Sequence, residues 1–239
     1  MEYLISLNKG QMDPLFEIPV PKLAFNTVLL PLIGLIFSIL WSLCFDFNRT
    51  TATHCGVINY LPSISAAIDQ PPSSVVWKIC IALHSAPRLL IAVIHEMKAR
   101  KLGTSRCQSI KAFFNLSLNT IEVFSLLILT MMSSTEYKLW HKIGFITYIA
   151  SSVIYCCGSS ICGTGDRKES KKWKRILCII YLLSLSSSMY FYYRHNTYCE
   201  DQVYTLFALL EYIVVISNIF FHYVASFDFH NYSISVQEN

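Results

Sequence analysis

His84, Arg88, Asn119, Glu122 and Glu211 fall inside runs that are otherwise apolar. Placing a charge at the centre of a membrane span costs at least ~2.5–3.5 kcal/mol, so each is a candidate functional residue. His84 and Arg88 are spaced i, i+4 and share a helix face, as do Asn119 and Glu122 at i, i+3. Pro87, just before Arg88, frees a backbone carbonyl one turn earlier. With ~1.5 Å of rise per residue, His84 and Glu211 lie roughly 13 Å below the outer surface, Glu122 roughly 16 Å and Arg88 roughly 19 Å. Matching depth and opposite charge pair Arg88 with Glu122, and His84 with Glu211. Asn218 and His222 follow about two and three turns beyond Glu211. Three chemistries compete for this cluster. It is glue that specifies helix pairing. It is a hydrated lining for a lipid headgroup, with the planar fork of Arg88 on a phosphate. Or it is an acid/base site built on His84.

A second set lies in loops. His54 and Cys55 stand in one, and Arg194, His195, Asn196, Cys199 and Glu200 in another. His195 and Glu200 have a His-x4-acid spacing, which in one acyltransferase class lets His deprotonate a hydroxyl. The acid there is Asp and the neighbouring residues differ, so a structural interfacial histidine is the competing reading. Arg194 and Asn196 are candidate substrate ligands beside it. No Gly-x-Ser-x-Gly elbow, Walker loop or His-Glu-x-x-His is present. No cofactor is expected. No close-spaced His/Cys/Asp pattern argues for a metal, although His54, His84 and His195 are the residues that would gather around one.

These residues need elements to hold them. Only 14% of the chain is charged and 54% is apolar, against roughly 25% charged in soluble domains. The apolar residues form runs at Leu23–Phe45, Val75–Met97, Ala112–Met132, Leu139–Ile161, Ile176–Tyr193 and Val203–Ala225. A span needs roughly 20 residues, and the fifth run is short. The expected fold is an all-α, polytopic six-helix membrane bundle, one domain over residues 1–239. A five-span bundle that loses the fourth or fifth run is the alternative. Basic residues decide orientation. Lys9, Lys22, Lys98, Arg100, Lys101, Arg106, Lys111, Arg167, Lys168, Lys171, Lys172, Lys174 and Arg175 fall on one side of a six-span chain. Arg49, Lys78, Lys138, Lys142 and Arg194 fall on the other. Both termini are therefore expected in the cytosol, with lumenal loops at 46–74 and 194–202. The net charge of +4 reads as inside-positive loops and not as a nucleic-acid surface. The first run reads as a signal anchor, not a cleavable signal.

Of nine cysteines, only Cys55 and Cys199 fall in those oxidising loops. A bridge between them is expected, with two free thiols as the alternative. Cys156, Cys157 and Cys162 near the inner face are packing residues or palmitoylation sites. Asn48-Arg49-Thr50 is a glycosylation acceptor hard against the exit of the first run.

Several ordered stretches carry a resemblance. They are Thr53-His54-Cys55-Gly56, Asn59-Tyr60-Leu61-Pro62-Ser63, Leu83-His84-Ser85-Ala86-Pro87-Arg88, Tyr193-Arg194-His195-Asn196, Tyr198-Cys199-Glu200, Phe207-Ala208 and Leu210-Glu211-Tyr212. Together they resemble the post-GPI-attachment-to-proteins factor family, in the broad group that also contains the DRAM and Sfk-type membrane proteins. The resemblance runs from Pro31 to Asp228 and lapses at Asp69–Ser74, Ala99–Lys111 and Gly158–Lys172. It implies a multi-pass protein of the Golgi membrane, and also of the endoplasmic reticulum membrane. It implies a role in GPI-anchor lipid remodelling, where lyso-GPI is reacylated at sn-2 with a saturated chain. The implied partners are the GPI-anchor lipid or lyso-GPI, a membrane phospholipid as acyl donor, and other GPI-remodelling proteins. A non-catalytic lipid-binding or scaffolding subunit of a separate acyltransferase, and a lipid transporter or scramblase, are the rival expectations.

Overall fold

The computed structural model describes residues 16–102, 106–161 and 167–236. Lys9 and Cys162, which enter the charge and cysteine arguments, lie outside them. In chain order the elements are β1 Phe16–Pro19, α1 Val20–Phe45, α2 Phe47–Thr51, α3 Ile64–Ala67, α4 Ser73–Leu102, α5 Arg106–Met131, α6 Lys138–Ile161, α7 Lys168–Tyr198 and α8 Val203–Val224. A 3-10 turn at Ala225–Phe229 and β2 Ser233–Val236 complete the described chain. Six helices (α1 and α4 to α8) are long and apolar enough to cross a membrane. Ile36, Ile79, Phe124, Ile154 and Leu183 stand exposed on their outer faces. In water such a belt would far exceed the few hundred Å² that soluble monomers leave uncovered. The chain is a multi-pass, all-α membrane protein.

α7 corrects the reading of a short fifth span. It runs 31 residues, about 46 Å at ~1.5 Å per residue, through both headgroup regions of a ~40–45 Å bilayer. Hydropathy detects only its apolar middle. Lys168–Arg175 and Arg194–Tyr198 are helical but polar. The loop expected at 194–202 shrinks accordingly to the turn after Tyr198, where Cys199 takes a left-handed φ of 49° and its N–H bonds the His195 carbonyl.

Successive long helices pack side by side, and small residues set how closely they approach. A Cβ on Gly34 of α1 would stand 3.2 Å from Cys80 Cβ and Trp77 Cε3 of α4. One on Gly144 of α6 would stand 3.0 Å from the Leu129 backbone nitrogen of α5. α6 and α7 are the exception. Both reach the cavity described below, yet they pack together less closely than any other sequential pair of spans.

One end of the bundle, the basic end, is closed by polar contacts. Lys174 Nζ lies 3.1 Å from Asp228 Oδ2, and Ser170 donates to the same oxygen at 3.1 Å. β1 and β2 pair antiparallel there, an addition to the expected all-helical chain that brings both ends of the described chain to one side. The other end, the bridge end, is capped by residues 46–72. Ser63 caps α3 by accepting from Ala66 N at 3.2 Å. Asp69 accepts from Ser133 Oγ at 2.8 Å. The Cys55–Cys199 disulfide joins this cap to the α7–α8 turn, with Cα atoms 5.3 Å apart. Thr50, the hydroxyl residue of the glycosylation acceptor, is 2% exposed and bonds the Asp46 carbonyl at 2.8 Å.

Candidate functional site

A cavity of ≈ 110 Å³ lies within the bundle beneath the cap. Its walls are mainly apolar, from Val28, Ile81, Leu126, Phe145 and Val214 among others. Ile64, Ser65 and Ile68 of the cap also line it, so α3 and its flank act as a lid. Into this apolar space project His84, Arg88, Glu122, Glu211, Asn218 and His222.

Their polar contacts form one network deep in the bundle. His222 stands between Arg88 and Glu122. Arg88 Nη2 lies 2.5 Å from His222 Nδ1, and His222 Nε2 lies 2.9 Å from Glu122 Oε1. The same Arg88 Nη2 lies 2.7 Å from His222 Nε2. Arg88 Nη2 also lies 3.5 Å from Glu122 Oε2. Asn218 donates to Glu122 at 3.2 Å and to Ser152 Oγ at 2.5 Å, and accepts from the Tyr148 hydroxyl at 3.2 Å. Tyr155 stacks on the His222 ring at 5.4 Å. Helices α4, α5 and α8 are thus joined through the Glu122 carboxylate, and α6 through Asn218. Among the described residues, the hydrogen bonds of Arg88 fall on Nη2 alone. Nε and Nη1 carry none, though the side chain lines the cavity.

The expected Arg88–Glu122 proximity is present, with a histidine inserted. The expected His84–Glu211 pair is not. His84 Nδ1 donates to the Thr27 carbonyl of α1 at 2.8 Å, while Glu211 accepts from the Ile64 backbone N–H of the lid at 2.8 Å. Depth along two helices fixes height but not azimuth, and the lid reaches down to take the Glu211 carboxylate first. Asn119 is buried off the main cavity. It donates to the Asn115 carbonyl at 2.9 Å and lines a separate, smaller space with Glu96 and Tyr155.

The loop candidates form another place. Arg194, His195 and Asn196 belong to the last turn of α7. Arg194 pairs with Glu200 in an ion pair, and Asn196 is exposed. The His54 and His195 rings meet edge to face at 5.6 Å, and His195 also packs against Tyr204 at 4.9 Å. None of His54, Arg194, His195, Asn196 or Glu200 lines the cavity. His54, Cys55 and His195 bring ligand atoms within 4.8 Å of one another, but His84 is not with them. Cys55 spends its sulfur in the bridge. Two imidazoles are left, fewer than the three or four protein ligands of a zinc site.

His222, Asn218 and Tyr148 were not put forward as site residues, although the spacing of Asn218 and His222 behind Glu211 marks their shared face. Ser65 and His141 were missed outright. Both line the cavity near the lid, with Ser65 Oγ 3.3 Å from His141 Nε2.

Residues 20–232 match the family model described as Frag1/DRAM/Sfk1/Cwh43P N-terminal domain. A Xenopus tropicalis protein named Acyltransferase PGAP2 is 43% identical over 235 residues, covering 94% of this chain and 93% of its own. The Drosophila melanogaster protein named Post-GPI attachment to proteins factor 2 is 37% identical over 225 residues, 90% of this chain and 88% of its own. Its Caenorhabditis elegans namesake is 37% identical over 238 residues, 93% and 90%. No solved structure matches the chain.

Proposed function

The chain belongs to the Frag1/DRAM/Sfk1/Cwh43 family, and we propose that it acts in GPI-anchor lipid remodelling, holding lyso-GPI while its sn-2 hydroxyl is reacylated with a saturated chain. The observation that carries this reading is the amphipathic cavity. Its apolar wall suits an acyl chain, and the loose seam between α6 and α7 gives that chain a side path to the bilayer. Its polar end places the Arg88 guanidinium, a planar donor suited to phosphate oxygens, on the cavity wall. Of His54, His84 and His195, only His84 stands on the cavity wall. With Nδ1 given to Thr27, its Nε2 is left as an acceptor for a polar group of the lipid headgroup. The names of the frog, fly and worm relatives support both halves of the reading, acyl transfer and a place after GPI attachment. In this reading the bridge end faces the lumen of the Golgi or endoplasmic reticulum. A phospholipid of that leaflet is then the accessible acyl donor.

A second reading has a specific observation behind it. Arg88 already has His222 and Glu122 as protein partners. A site so satisfied also suits a subunit that presents lipid to a separate acyltransferase. Reconstitution decides between them. Purified protein in liposomes with lysophosphatidylinositol and a chain-labelled phosphatidylcholine is expected to yield labelled phosphatidylinositol. Lysolipid binding without any transfer would favour the presenting subunit.

A further inference from the structure

Ser65 and His141 are 76 residues apart in sequence and meet at the lid edge of the cavity. His141 Nδ1 lies 2.7 Å from the Met132 carbonyl oxygen. A carbonyl only accepts, so Nδ1 carries the proton and Nε2 presents a lone pair. The hydroxyl of Ser65, 3.3 Å from Nε2, is then the donor. This is the order of an activated nucleophile: hydroxyl, imidazole, and an acceptor that fixes the tautomer. A slightly long hydroxyl–imidazole contact is usual before substrate binds.

The fold holds the two residues by independent means. Ser65 sits on α3, whose first N–H is bonded by Glu211 at 2.8 Å and whose N-cap is Ser63. His141 sits in the first turn of α6. The lid is fastened to the α5–α6 turn next to it by Asp69 and Ser133 at 2.8 Å. Both side chains face the space that the proposed function assigns to the lipid.

Resting on that proposed function, we propose that Ser65 and His141 are the nucleophile and general base of a transacylation through an acyl-serine, with a phospholipid ester as donor. In the first half, Ser65 Oγ attacks the donor ester carbonyl and its proton passes to His141 Nε2. The ester C–O bond breaks, and His141 returns the proton to the departing lysophospholipid oxygen. In the second half, the sn-2 hydroxyl of the acceptor attacks the acyl-serine and gives its proton to His141. Ser65 leaves and takes that proton back. One ester is broken and one formed, with no external oxidant, reductant or activated thioester. The lid then supplies the nucleophile, so a correctly seated lid is a condition for chemistry.

The test uses the full chain in phosphatidylcholine liposomes with labelled acyl chains and lysophosphatidylinositol. Acid-quenched wild type is expected to carry the label on a Ser65 peptide by mass spectrometry. Ser65→Ala should lose both label and transfer, and His141→Ala should slow transfer by about 100-fold or more. Ser65→Cys keeps the lid contacts and is expected to trap the acyl group as a thioester released by neutral hydroxylamine. The Cys55–Cys199 gel mobility and the thermal midpoint report folding of each variant. Should Ser65→Ala misfold, the Cys variant decides, and a folded Ser65→Cys without thioester overturns the proposal. Transfer by folded Ser65→Ala at the wild-type rate also overturns it, while leaving the proposed function standing. If wild type transfers nothing to lysophosphatidylinositol or lyso-GPI yet a fluorophosphonate labels Ser65 in a His141-dependent way, the dyad stands and the lyso-GPI reading falls. Absence of both transfer and label sinks the two together.

Discussion

At the scale of single residues, Arg88, His222 and Glu122 form a buried triad whose members hold one another in place. Removing one charge of a buried pair leaves the other uncompensated, at a cost of about 3–5 kcal/mol, whereas removing both together is often nearly neutral. Arg88→Met and Glu122→Gln should therefore each lower the thermal midpoint in detergent markedly. The double variant should recover most of that loss. Contact-mediated coupling of this kind runs to roughly 0.5–3 kcal/mol, and strictly additive losses would refute the pairing. Lysolipid binding is expected to stay lost in the double variant, because the proposed phosphate ligand is gone even where the fold is restored. The sequence exposed Arg88 and Glu122 readily, since charges inside apolar runs are conspicuous. It hid the insertion of His222. Rise per residue gives depth, but which of two equally deep side chains reaches its partner depends on helix rotation. Ser65 left still less signal. It is one serine in an aperiodic loop, and only the descent of that loop onto the bundle brings it to His141.

At the scale of elements, the lid and the helix crossings obey different rules. The lid has little secondary structure of its own, and tethers hold it. The disulfide fastens its first half to the α7–α8 turn, Tyr60 N donates to Thr205 Oγ1 at 2.9 Å, and Gln202 N donates to the Ile58 carbonyl at 3.0 Å. On non-reducing gels Cys55→Ser and Cys199→Ser should migrate alike, at the position of reduced wild type. Identical migration of wild type with and without reductant would remove the tether. Charge asymmetry made the bridge legible, because it left two cysteines in the expected lumenal loops. The lid itself was not legible, since Pro62, Pro71 and Pro72 announce only that the segment is not one long helix. The crossings depend on small residues instead. A side chain at Gly144 meets α5 backbone at 3.0 Å, whereas one at Gly158 meets nothing within 4 Å. Gly144→Val should destabilise the bundle. Gly158→Ala should leave its stability unchanged or increase it by the helix preference of alanine, about 1 kcal/mol. Equal effects at the two positions would mean that α5 and α6 do not approach as closely as this.

At the scale of the whole molecule, the two ends differ in chemistry in the way a fixed orientation requires. The basic end carries Lys98, Arg100, Lys101 and Arg106 around the α4–α5 turn, and the start of α7 adds Lys168, Lys171, Lys172 and Arg175. The bridge end carries the disulfide and the lid over the cavity. Positive loops stay in the cytosol and disulfides persist in an oxidising lumen. Two unrelated forces, acting on different residues, therefore both favour the orientation proposed above. In that proposed orientation the chemistry proposed for Ser65 and His141 lies on the lumenal side, where a phospholipid donor is at hand and a cytosolic thioester is not. Cys107, exposed in the first turn of α5 at the basic end, reports on this directly. In sealed microsomes a membrane-impermeant maleimide should label it from outside without detergent, and Cys107→Ser should remove that signal. The bridge in the same vesicles should resist an impermeant reductant until the membrane is opened. Labelling of Cys107 only after permeabilisation would invert the molecule and place the dyad in the cytosolic leaflet, where acyl-CoA, not phospholipid, becomes the natural donor.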